Sequence, residues 1–136
     1  MRVAETRLRN ADNQYYGTRC GNDTTDRIFL LSLEEVVQYF GDSGELRNRP
    51  SLEANNFGYE DSSVRVALDL NGNTSVWWLR SPGVYNTHAA YVSNDGRIFV
   101  SGSPVHGIMS GEFIGFSGHI VDHGRGGVRP ALWLNL

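Results

Sequence analysis

Lysine is absent from the sequence: all twelve Lys/Arg positions are arginine, which removes Schiff-base chemistry and a phosphate-loop lysine from its repertoire. A single cysteine, Cys20, excludes an intrachain disulfide framework and a multi-cysteine zinc site built from one chain. It leaves the compartment open, because disulfide-free chains occur in the cytosol and on bacterial surfaces alike. No run approaches the roughly eighteen apolar residues of a membrane helix, and the sequence turns polar within Met1 to Arg7, so neither membrane insertion nor a signal peptide is expected. Basic residues form no block, and fifteen acidic against twelve basic residues give a net charge of −3, so nucleic acid is not an expected partner.

What is present fits one folded domain: 136 residues, 40% hydrophobic and 20% charged, with three Trp, six Tyr and six Phe. Residues 1–26 read as a polar lead-in ending in the loop Gly17-Thr18-Arg19-Cys20-Gly21-Asn22-Asp23-Thr24. Arg27-Ile28-Phe29-Leu30-Leu31 reads as a short buried strand feeding a helix. The helix signal is a capping box, with Ser32 as N-cap and Glu35 reaching back, stapled by Leu31 and Val36. Gly41 is placed to end it in a left-handed cap. Pro50 to Asn55 permits a second, shorter helix ending near Gly58.

Val64–Leu70 and Thr74–Leu79 flank Asn71-Gly72-Asn73 and read as a β-hairpin. Beyond Ser81-Pro82-Gly83 the chain reads as hairpins and Gly-punctuated loops. One of these can be put in register. With Asn94-Asp95-Gly96 as a three-residue connection and Gly96 in a left-handed bulge position, Val92 faces Ile98 and Ala90 faces Val100. Tyr91, Ser93, Arg97, Phe99 and Ser101 then point to the opposite, outward face. A two-residue Asp-Gly turn would instead pair Val92 with Phe99. Val128 to Leu134 reads as a final strand, with Pro130 marking an edge or a strand start.

The segments Trp77-Trp78-Leu79-Arg80-Ser81-Pro82-Gly83, Ala89-Ala90-Tyr91-Val92, Asp95-Gly96 and Val128-Arg129-Pro130-Ala131-Leu132-Trp133-Leu134 carry a resemblance. So do Gly17-Thr18, Gly21-Asn22-Asp23-Thr24 and Asp26 to Ser32. Together they resemble an uncharacterised domain family frequent in gut bacteria and related to the variable proteins of diversity-generating retroelements. The resemblance implies an α+β, C-type-lectin-like fold of the formylglycine-generating-enzyme subtype, loop-rich, with short antiparallel strands and one or two helices. It further implies that the chain begins in the middle of the family's domain, and it places Cys20 where a loop glycine is expected. The resemblance also implies a variable C-terminal loop surface, and a cell-surface, secreted or phage location.

The related formylglycine-generating enzymes use a cysteine pair with copper, which one cysteine does not supply, so no cofactor is expected and catalysis of that kind is not. His119-Ile120-Val121-Asp122-His123 has metal-ligand spacing, but its flanking glycines argue against the helix that spacing needs. Asp69, Asn71 and Asn73 echo the start of a calcium loop whose closing acid would fall at Arg80, so a hairpin turn is the better reading. No Gly-x-Ser-x-Gly elbow frames Ser32, Ser81, Ser103 or Ser117. Trp77 and Trp78 alternate faces, one in the core and the other a candidate surface residue. Arg80 and Arg129 read as structural ties.

The expected function is therefore a non-enzymatic module recognising a protein or glycan through Tyr85, Thr87, His88, Tyr91, Ser93, Arg97, Phe99, Ser101, Ser103 and His106. Two alternatives stay open at this point. One is an oxidase-like enzyme using His119 and His123, and the other a half-domain completed by a second copy.

Overall fold

A computed structural model describes residues 1–44, 46, 61–104, 127 and 129–135. Within these the architecture is short antiparallel strands with one helix. The strands are β1 (Arg2–Val3), β2 (Thr6–Leu8), β3 (Thr24–Asp26), β4 (Phe29–Leu30), β5 (Ala67–Leu68), β6 (Thr74–Ser75), β7 (Trp77–Pro82), β8 (His88–Val92), β9 (Ile98–Pro104), β10 (Pro130–Ala131) and β11 (Leu134–Asn135). Helix α1 (Leu33–Phe40) follows β4, and a 3₁₀ turn at Ser63–Arg65 precedes β5. This is a loop-rich α+β arrangement, as the coarse reading of the sequence expects.

The helix begins where its capping box places it. Ser32 Oγ accepts the Glu35 backbone N–H at 3.1 Å and Glu35 Oε2 accepts the Ser32 N–H at 2.9 Å. Leu31 and Val36, on either side of the cap, both enter the core. Gly41 ends the helix with φ 70°, as expected, but its ψ of 170° is extended and not left-handed helical. The segment expected to form a second helix, residues 50–58, lies outside the described residues.

The centre of the fold is the three-stranded sheet β7-β8-β9. Val92 faces Ile98, and Tyr91 faces Phe99. The connecting turn is the three-residue type: Gly96 N–H donates to Ser93 O, Ser93 N–H donates to Arg97 O, and Gly96 has φ 86°. The two-residue alternative is thereby excluded. Bulges interrupt both ladders at the same place. Leu79, Arg80 and Ser81 on β7, and Val100, Ser101 and Gly102 on β9, oppose the single residue Ala90 on β8. Ala90 and Val100 nevertheless share the core face, fully or almost fully buried with Trp77, Leu79, Val92 and Ile98. Phe29, Leu31, Leu33 and Val36 close that core from the β4-α1 side.

Three expectations need correction. Residues 1–26 are not only a lead-in: β2 pairs with β3, β1 pairs with β11, and Leu8 and Asn13 are buried. Buried Asn13 carries that placement, its Nδ2 donating to Pro82 O and Val100 O at 2.8 Å each while its Oδ1 accepts from Tyr15 and Tyr16 N–H. Val64–Leu70 is not one strand, because Arg65 is drawn inward in the 3₁₀ turn and only Ala67 and Leu68 pair with β6. The hairpin turn itself forms, with Asp69 Oδ1 accepting from Asn71 and Asn73 N–H. The final apolar run is two strands, β10 on β4 and β11 on β1, and not one.

Arg65 is a hub that no local pattern announces. Its side chain is fully buried, with Nε donating to Gly96 O at 2.7 Å and Nη1 to Gly41 O at 2.8 Å and Ser43 Oγ at 3.1 Å. Its carbonyl receives the Trp77 indole N–H at 2.9 Å. The end of the helix, the β8-β9 turn and the start of β7 are thus tied to one residue. Arg80 and Arg129 are structural as expected. Arg80 donates to Leu30 O and to Glu35, and Arg129 lies over the Phe40 and Trp77 rings, 4.9 and 5.0 Å from their centroids.

Candidate functional site

Of the expected contact residues that are described, the exposed ones, Tyr85 and Thr87, lie on the turn between β7 and β8. At its base, Gly83 N–H donates to His88 O at 2.8 Å and Val84 N–H to Ser101 O at 2.7 Å. A Cβ on Gly83 would overlap the Ser101 carbonyl oxygen, so only glycine lets the chain approach β9 this closely. His88 N–H donates to Tyr85 O at 3.0 Å and closes the turn, and Thr18 Oγ1 donates to Val84 O at 2.9 Å from the N-terminal segment. Two of these bonds close the turn on itself, and two tie it to β9 and to the N-terminal segment.

On that base Tyr85, Asn86 and Thr87 are exposed and His88 is half-buried. The Tyr85 and His88 rings meet edge to face, centroids 5.2 Å apart at 66°. Thr87 Oγ1 lies 3.1 Å from His88 Nδ1. Burial holds the His88 imidazole below its ordinary pKa, so it is predominantly neutral near neutral pH. Among the described residues no carboxylate hydrogen-bonds His88, so the orienting third member of a nucleophile-base relay is missing there. What the turn offers is an uncharged aromatic corner with amide and hydroxyl groups beside it.

The remaining expected contact residues do not join this corner. Tyr91 is 5% exposed: its ring stacks on Phe99 at 4.9 Å and 3°, and takes the Trp78 ring edge-on at 5.9 Å. Burial first, and the Asp95 charge second, push its phenol up to about 12. Ser93 and Ser103 are buried too, Ser93 bonding the Asp95 carboxylate and the Arg97 carbonyl. The outward assignment of Tyr91 and Ser93 is therefore corrected, and Ser103, also expected as a contact residue, is buried. Strand alternation separates the two faces of a sheet, but it does not say whether the second face is also covered.

Arg97 is half-buried and pairs with Asp95 at 3.3 Å, at the opposite end of β8 from the 83–88 turn. That turn end is itself packed, because Ser62 Oγ donates to Asp95 O and Arg65 Nε to Gly96 O. Ser101 is half-buried, and its carbonyl serves the base of the 83–88 turn. His106, His119, Asp122 and His123 lie outside the described residues. Among the described residues no three His, Cys, Asp or Glu side chains gather as metal ligands. Cys20 is half-buried, and burial raises its thiol pKa, which lowers its reactivity. Asn86 is exposed on the same turn although it was not among the expected contact residues; its place between Tyr85 and Thr87 is the available signal.

The family described as a domain of unknown function, DUF6273, matches residues 1–136. The chain belongs to this family. No curated protein and no solved structure matches the DUF6273 chain. Among the described residues of this DUF6273 domain no helix is long and apolar enough to cross a membrane.

Proposed function

We propose that this DUF6273 chain is a non-enzymatic ligand-binding module of C-type-lectin-like type, displaying a variable loop surface to a protein or glycan partner. The observation that carries the reading is the contrast along one stretch of chain. Trp77, Leu79, Ser81, Pro82 and Gly83 are buried in scaffold roles, and the next residues, Tyr85, Asn86 and Thr87, stand exposed on a base with four hydrogen-bonded ties. A rigid base under exposed aromatic and amide groups is the arrangement that lowers the ordering cost of recognition. Narrowing the expected face to this turn also follows from the burial of Tyr91, Ser93 and Ser103.

Sequencing the locus from many cells of one population tests the reading. Substitutions are expected to gather at codons 84–88 while codons 77–82 and 129–133 hold. Variation scattered evenly over these segments, or none at all, would remove the display reading.

A further inference from the structure

We infer that the ligand taken by the 83–88 turn is a neutral pyranose ring, stacked by its C–H face on the exposed side of Tyr85. This rests on the display reading above and names the chemistry of its ligand.

Charge gives the first argument. Gly83-Val84-Tyr85-Asn86-Thr87-His88 contains no carboxylate and no guanidinium, and its imidazole is held toward the neutral form by burial. An anionic ligand would find no counter-charge within the turn. Shape gives the second. Tyr85 is 63% exposed, and His88 meets it edge to face at 66°, so most of the phenol ring is open to solvent beside a second ring. A pyranose has the matching halves, a patch of C–H groups and a rim of hydroxyls that both donate and accept. The Asn86 amide and the Thr87 hydroxyl supply uncharged donors and acceptors for that rim.

Size gives the third. A stable protein partner covers about 800 Å² of each surface, far more than one turn presents, whereas a single sugar ring needs little beyond one aromatic face. Rigidity gives the fourth. The ties from Thr18, Ser101 and His88 fix the turn before any ligand arrives, which small weak ligands require because they repay little ordering entropy.

Amide chemical shifts of the full-length chain, titrated with methyl β-galactoside, methyl β-glucoside, chitotriose and the anionic sugar N-acetylneuraminic acid, test this. The neutral sugars are expected to shift the Tyr85 to His88 amides with Kd of about 1 mM, unchanged between about 0.01 and 1 M salt. Tyr85→Ala should weaken them at least about tenfold with an unchanged melt, and Tyr85→Phe should retain them. Silence of the turn toward all three neutral sugars, equal response to the anionic one, or sugar shifts gathered away from the turn overturns the inference. In each case the display reading stands if codons 84–88 vary and falls if they do not.

Discussion

The carboxylate of Glu35 meets the guanidinium of Arg80 with both oxygens, at the N-terminus of α1, while the same Oε2 accepts the Ser32 backbone N–H at 2.9 Å. One side chain thus caps the helix and fastens it to β7, and Arg80 passes the tie on to Leu30 O at 2.8 Å. Burial works against the Glu35 charge, but the Arg80 and Ser32 hydrogen bonds outweigh it, and the carboxyl sits below its ordinary pKa. A group whose folded pKa is depressed contributes stability that is full above its unfolded pKa and is lost as pH falls through the folded one. Glu35→Gln keeps a cap acceptor and drops the charge. It is expected to cost about 1–2 kcal/mol at neutral pH, with the gap to the wild type narrowing as pH falls below the ordinary glutamate value of about 4.3 and closing only below the depressed folded one. Urea unfolding at several pH values checks it, and a pH-independent gap would remove the charge pair as the cause.

Gly102 and Gly72 offer a matched contrast. Both have positive φ, 70° and 82°, so alanine strains the backbone at either. At Gly72 a Cβ meets nothing within 4 Å, whereas at Gly102 it would overlap the Ala89 carbonyl inside the sheet. Gly72→Ala is expected to cost about 1 kcal/mol and Gly102→Ala about 3 kcal/mol or more. Equal losses on denaturant titration would show that the β9 bulge relaxes freely.

The parts of the fold legible in the sequence are those written within a few residues. The capping box spans Ser32 to Glu35, and the β8-β9 turn spans Ser93 to Arg97; both form as expected because local hydrogen bonds decide them. Asn13 and Arg65 were invisible for the opposite reason. Asn13 reaches carbonyls 69 and 87 residues away, and Arg65 reaches Gly96 across 31, and no periodicity encodes such partners. At the candidate site the residue types at 85, 87 and 88 were legible. The exclusion of Tyr91, Ser93 and Ser103 was not, because coverage of a second sheet face is a tertiary fact.

Asn13 yields a test of its buried amide. Its two donated bonds hold carbonyls of β7 and β9, and its carbonyl takes two backbone N–H groups. Asn13→Ala strands these partners and is expected to cost about 2–4 kcal/mol. Asn13→Asp keeps the acceptor but sets a carboxylate oxygen against Pro82 O and Val100 O, so at neutral pH it should be the worse variant. Repulsion and burial raise the folded pKa of that new carboxyl above its unfolded one, so Asn13→Asp should recover as pH falls and protonation restores one donor. A deficit that stays flat across the carboxylate range would contradict the donor assignment of Asn13.

Tyr85 and Tyr91 separate recognition from folding. Tyr85 is 63% exposed and meets the His88 ring edge to face, and its truncation should move stability by no more than about 0.5 kcal/mol. Tyr91 fills the space between Trp78 and Phe99, and Tyr91→Ala is expected to cost about 3 kcal/mol. Phe99→Ala breaks the stacked pair from the other side and should fall in the same direction. Loss of ligand binding in Tyr91→Ala or Phe99→Ala would therefore report the sheet, and only substitutions at Tyr85, Asn86 and Thr87 read the surface itself. Thermal melts of the three aromatic variants side by side decide the matter. A Tyr85→Ala melt lowered as far as that of Tyr91→Ala would make the 83–88 turn part of the folded core and remove it as a recognition surface.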